Sequence, residues 1–88
     1  MKVEYLKQFS KDVLKINDES LKDNLFGIII NIKNTQNLNQ IANIKKLKGH
    51  SEAYRIRIGK YRLGFYFDEE VVELARFAKR EDIYKLFP

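Results

Sequence analysis

Apolar residues recur at helical spacing along the first third of the chain and at alternate positions along much of the second half, so helices precede strands. Met1 to Leu6 sets Val3 and Tyr5 against Lys2 and Glu4, which predicts a brief strand. From about Lys7, the residues Phe9, Val13, Leu14 and Ile16 trace a first helix that stops at Asn17-Asp18, residue types that favour turns and caps. Leu21, Leu25, Ile28, Ile29 and Ile32 then form the single apolar stripe of a second helix, with Asp18 or Ser20 placed to cap it. Two amphipathic helices joined by a short link are most simply an antiparallel pair whose common apolar side covers another layer.

That layer is a sheet. Asn34 to Gln40 is polar and Asn-rich and reads as a loop with a helical turn, leading to Ile41, Ile44 and Leu47. Tyr54, Ile56 and Ile58 alternate with Arg55 and Arg57; after Gly59-Lys60, Tyr61, Leu63, Phe65 and Phe67 alternate with Arg62, Gly64 and Tyr66. Glycine first in a two-residue loop supplies the positive φ of a type II′ hairpin turn. Asp68-Glu69-Glu70 separates a further strand, Val71 to Ala78, and Arg80 to Pro88 reads as a helical turn or two.

The hairpin sets a register with chemical content. Ile58 faces Tyr61, Arg57 faces Arg62, Ile56 faces Leu63 and Arg55 faces Gly64. Three arginines therefore share one sheet face, and like charges directly opposed destabilise a strand pair. Gly64 weakens its strand too, but opposite Arg55 it leaves room for a ligand backbone. Guanidinium forks suit phosphate, and Tyr66 on the same face is a candidate to stack on a base. The competing reading is structural, with these arginines paired to Glu52, Glu73 or Glu81; an even-length second turn sets Glu73 opposite Tyr66.

Charge sharpens this picture. In 88 residues, 17 Lys and Arg oppose 12 Asp and Glu, and Lys45 to Arg62 alone holds seven basic residues against Glu52. Such a stretch points to an anionic partner. The length bounds the chain to one domain, residues 1–88. Zero Cys excludes disulfides, thiolate metal sites and a cysteine nucleophile, and a single His excludes a two-His metal site. No apolar run suits a membrane span and the N-terminus lacks a signal-peptide core, so a cytoplasmic protein without membrane contact is expected.

The runs Ile44 to Gly49 (IKKLKG), Tyr54 to Leu63 (YRIRIGKYRL) and Ala75 to Tyr84 (ARFAKREDIY) together resemble the RelE/ParE superfamily of toxins from toxin–antitoxin systems, closest to its RelE-like branch. The resemblance spans nearly the whole chain. It implies an α+β fold in which two N-terminal helices pack on a mostly antiparallel sheet of about four strands, with a short C-terminal helix. It also implies a ribosome-dependent endoribonuclease, an mRNA interferase that cuts mRNA in the ribosomal A site without a metal or other cofactor. A cognate antitoxin protein is the implied partner, and operator DNA is reached only through it.

Carried over by position, the resemblance assigns Arg57 and Arg62 to the scissile phosphate, Arg80 to the leaving 5′-oxygen and Tyr84 to substrate stacking or orientation. Arg55, Lys46, Lys48, Tyr66 and Lys79 are the accompanying RNA- or phosphate-binding candidates. Where well-studied relatives have lysines at the first basic pair this chain has Arg55 and Arg57, and many relatives have His where it has Lys79. Arginine is a poor general base, so proton removal from the 2′-OH falls to Tyr84, Lys79, His50 or Glu52. Two other readings stay open: a ParE-like inhibitor that binds DNA gyrase, and an inactive member that only binds its antitoxin.

Overall fold

The computed structural model describes every residue from Met1 to Pro88. The chain runs β1 (Lys2–Tyr5), α1 (Lys7–Leu14), α2 (Glu19–Asn34), a single 3₁₀ turn (Leu38–Gln40), β2 (Ile44–Lys46), β3 (Ala53–Ile58), β4 (Tyr61–Phe67), β5 (Val71–Lys79) and α3 (Arg80–Leu86). Its strands form one sheet in the order β1-β5-β4-β3-β2, with β1 parallel to β5 and the other pairs antiparallel. The sheet thus has five strands rather than about four. The extra one is β2, three residues long, whose single alternation is too short to read without its partner β3.

Asp18 caps α2 by accepting from the Leu21 N–H at 3.2 Å. Leu25, Ile29 and Ile32 of α2 are buried with Phe9 of α1 against Ile56, Ile58, Leu63, Phe65, Leu74 and Phe77 of the sheet. Burying side chains of this size contributes about 1.5–3 kcal/mol each. Leu14, placed on the first helix's apolar stripe by its spacing, is instead 81% exposed, because α1 ends there and Ile16 turns inward beyond it. No helix is long and apolar enough to cross a membrane.

One buried carboxylate joins helix to sheet. Asp12 of α1 accepts from Arg76 Nε at 2.8 Å, from Arg76 Nη2 at 3.1 Å and from the Phe77 backbone N–H at 2.9 Å. It is the buried charged residue of the chain, and all three bonds cross more than sixty residues of sequence.

The opposite face of the sheet carries α3. A second, smaller apolar cluster of Ala53, Ala75, Ile83 and Phe87, flanked by Tyr66 and Ala78, fixes this helix in place. That face is therefore part core and part open.

Candidate active site

The β3–β4 hairpin has the register its sequence dictates: Ile58 with Tyr61, Arg57 with Arg62, Ile56 with Leu63 and Arg55 with Gly64. Gly59 has φ +59° and Lys60 does not have positive φ, the signature of the type II′ turn. This turn organises two of the site's cations. Arg62 Nη1 donates to the carbonyls of Gly59 at 2.9 Å and Tyr61 at 2.8 Å, and the Arg80 N–H donates to the Lys60 carbonyl at 2.9 Å. The first residue of α3 is thereby pinned to the hairpin tip.

Beneath α3 lies an open cleft of about 500 Å³ lined by Lys45, Arg55, Arg57, Arg62, Arg80 and Tyr84, together with Asn43 and Ile44. Lys45 joins because β2 sets it directly opposite Arg55, on the same face. Asn43, at φ 61°, accepts from Arg57 Nη2 through its Oδ1 at 3.1 Å, and its carbonyl accepts from the Arg57 N–H at 3.1 Å. The Arg55 guanidinium sits 4.6 Å from the centre of the Tyr84 ring, a cation–π contact that holds both side chains at the cleft wall.

The chain's ion pair, Arg76 with Asp12, lies outside the cleft, so no carboxylate neutralises Arg55, Arg57, Arg62 or Arg80. Desolvation, followed by the charge of Arg80 and then of Arg57 and Arg55, holds Arg62 below the ordinary guanidinium value, against an opposing effect of Tyr84. A cluster of mutually repelling forks with donors to spare is built to receive an anion. The Tyr84 hydroxyl is acidified as well, first by the neighbouring guanidinium donors of Arg80, then by those of Arg55 and by Arg55's charge.

No family model matches the sequence. Toxin RelE3 of Methanocaldococcus jannaschii is 37% identical over 89 residues, spanning 100% of both chains. Putative toxin RelE1 of the same organism is 32% identical over 94% of this chain and 93% of its own. The chain belongs to the RelE toxin family. Its fold matches the RelB–RelE antitoxin–toxin complex from Methanococcus jannaschii with a TM-score of 0.82 at 32% identity, covering 97% of this chain and 99% of that one. The archaeal RelE–RelB complex from Pyrococcus horikoshii OT3 shares the fold, with a TM-score of 0.73 at 18% identity over 90% and 93% of the two chains.

Within this RelE fold the candidate residues separate. Arg55, Arg57, Arg62, Arg80 and Tyr84 meet in the cleft. Lys46 does not, because on β2 it opposes Tyr54 and so belongs to the other face; its neighbour Lys45 takes the cleft position. Lys46 and Lys48 instead line a separate depression in the β2–β3 loop with His50, and Glu52 lies in the same loop. Lys79, the last residue of β5, borders a neighbouring hollow with Lys60, Arg62, Arg80 and Glu81.

Tyr66 packs its ring 5.0 Å from that of Phe87 and belongs to the second apolar cluster, so it is not free to stack on a base there. Nor does Gly64 leave room for a ligand: the Phe87 ring fills the space above it. Glu73 does stand opposite Tyr66, but forms no ion pair with the arginines.

Of the four proton-acceptor candidates, Tyr84 is the one in the cleft. We expect it to ionise below the ordinary phenol value near 10, which difference titration against Tyr84→Phe at the phenolate absorbance band measures. A Tyr84 that titrates at or above that value would contradict the geometry. The sign for stability follows. A phenol acidified by folding stabilises the native state fully only above its unfolded value near 10, and that contribution is lost as pH falls through the lower folded value.

Proposed function

We propose that this RelE family member is the toxin of a type II toxin–antitoxin pair and stops translation by cutting mRNA in the ribosomal A site. The observation that carries this reading is the convergence of four carboxylate-free guanidinium groups and an acidified tyrosine in one open cleft. In the proposed reaction the ribose 2′-OH attacks the adjacent phosphorus and the P–O5′ bond breaks. The products are a 2′,3′-cyclic phosphate and a 5′-OH.

Charge builds on the non-bridging oxygens in the transition state. Arg57 and Arg62, directly opposed across the hairpin, are set to meet it with paired N–H donors, so their contribution grows as the reaction proceeds. Arg55 and Lys45 hold a neighbouring phosphate. Arg80, at the start of α3, stabilises the charge on the leaving 5′-oxygen, which takes its proton from water in the open cleft. Tyr84, in its phenolate form, is the acceptor for the 2′-OH proton: the neighbouring guanidinium groups of Arg80 and Arg55 favour that form. The guanidinium groups supply the charge stabilisation, so this reading assigns no step to a metal. An exposed cleft of this kind leaves substrate positioning to the ribosome.

A cognate antitoxin completes the pair. RelE structures from Methanococcus jannaschii and Pyrococcus horikoshii are complexes with RelB, and the basic cleft here suits an acidic segment that folds as it binds. Contact with operator DNA passes through that antitoxin.

Purified protein separates this reading from gyrase inhibition. Added to a cell-free translation system it is expected to stop protein synthesis and shorten the mRNA, while leaving gyrase supercoiling intact. Intact mRNA with blocked supercoiling would overturn the proposal in favour of gyrase. Intact mRNA with neither process affected, from protein that binds its antitoxin, would make it an inactive member.

A further inference from the structure

The C-terminal helix has little to hold itself together. At seven residues α3 is far below the length at which an isolated helix is stable, so its place over the cleft must come from docking. Two of its side chains do this. Ile83 is fully buried, and at Phe87 the backbone leaves the helix for an extended conformation, φ −148° and ψ 133°, that turns the ring down onto the sheet. The Phe87 N–H still closes the last turn on the Ile83 carbonyl at 2.9 Å, so the ring's position and the helix's end are one feature.

The sheet is shaped to receive that ring. Where it lands, the residues on this face are Ala53, Gly64 and Ala75, with Tyr66 as one wall. A Cβ on Gly64 would lie 2.5 Å from Phe87 Cδ2 and 2.6 Å from Cγ, a separation that no real pair tolerates. Gly64 has no positive φ, so its backbone does not require glycine; the close approach of Phe87 does. Directly across the hairpin from this notch stands Arg55, whose guanidinium covers the ring of Tyr84, three residues before Phe87. The notch, the helix and the cleft wall are therefore in direct contact.

We propose that Gly64 and Phe87 form a latch whose job is to position the cleft: the ring seated over the missing side chain fixes α3 so that Tyr84 lies against Arg55 and Arg80 faces Arg62. Both are positioning residues, since neither lines the cleft. The inference rests on the reading of that cleft as the cutting site, yet the geometry it fixes can be measured without any RNA.

The test uses the full-length protein and three variants, Gly64→Ala, Phe87→Ala and the two combined, with two readouts. The first is the ionisation of Tyr84, followed by NMR of tyrosine labelled with ¹³C at the ring carbon bearing the hydroxyl and assigned with Tyr84→Phe. The second is single-turnover cleavage of ribosome-bound mRNA. In Phe87→Ala we expect Tyr84 to return to the ordinary phenol range near 10 and cleavage to slow about tenfold or more, while the protein still melts cooperatively. Gly64→Ala, which expels the ring, is expected to do the same.

The combined variant is decisive. With the ring gone the three atoms nearest that Cβ are gone too, so it should behave as Phe87→Ala does, and it keeps the test readable if Gly64→Ala alone fails to fold. A Tyr84 ionisation unchanged in Phe87→Ala, or losses that add in the combined variant, would overturn the latch. Should the unaltered protein cut no RNA, the cutting site is lost while the tyrosine titration still decides the latch.

Discussion

Replacing Arg62 with alanine is expected to slow cleavage of ribosome-bound mRNA by about 100-fold, the usual effect of deleting one preorganised donor to a developing oxyanion, or about 2.7 kcal/mol. The melting temperature should hold or rise. Arg62 lies among Arg80, Arg57 and Arg55, whose charges disfavour its own, and no carboxylate offsets them, so deleting it relieves repulsion in the free protein. Its Nη1 bonds to Gly59 and Tyr61 are exposed or only partly buried, and are worth little to the fold. Arg62→Lys should recover only part of the activity, since an ammonium keeps the charge but not the paired donors. Full activity in a normally folded Arg62→Ala protein would remove Arg62 from the reaction.

The largest effect on stability is expected at Asp12. Asp12→Ala leaves Arg76 without its anion and the buried Phe77 N–H without an acceptor, and losing one partner of a buried pair costs about 3–5 kcal/mol. Arg76 keeps 20% of its side chain in water, which favours the low end, roughly 3 kcal/mol. For a domain of this size that lowers the melting temperature by roughly 12–24 °C. Thermal and urea melts of Asp12→Ala and Arg76→Met measure it. Arg76→Met should destabilise as well, because the Asp12 carboxylate, 7% exposed, loses its cation although it keeps its bond to Phe77. A loss below about 1 kcal/mol in Asp12→Ala would mean that α1 is held on β5 by apolar packing alone.

These two residues also mark the boundary of what the sequence discloses. Arg62 is legible because the β3–β4 hairpin is a local structure. Alternation on both sides of Gly59-Lys60 fixes the register, and the register alone gathers Arg55, Arg57 and Arg62. The stripe of α2 is legible for the same reason, its periodicity lying within one element. Asp12 is not, because an acid in an amphipathic helix looks solvated until the partner 64 residues away is known.

The misplacements share that cause. Lys45 and Lys46 are indistinguishable until β2 is seen to pair with β3, which alone decides which of them faces Arg55. Gly64 and Tyr66 share the face of the arginines, but only the return of the chain's last residues shows that Phe87 occupies it. A bulge where Phe65 follows Gly64 shifts the β4–β5 register and places Ala75 under α3, which periodicity cannot anticipate.

The most direct test of the central claim, that the cleft drives 2′-OH attack on a phosphate, is to map both ends of the cut in a defined mRNA on programmed ribosomes. The transcript is compared with one carrying a single 2′-deoxy nucleotide at the cut. We expect a 2′,3′-cyclic phosphate and a 5′-OH from the first and no cut at that position in the second. A 5′-phosphate product, or cutting that survives the 2′-deoxy substitution, would contradict the account.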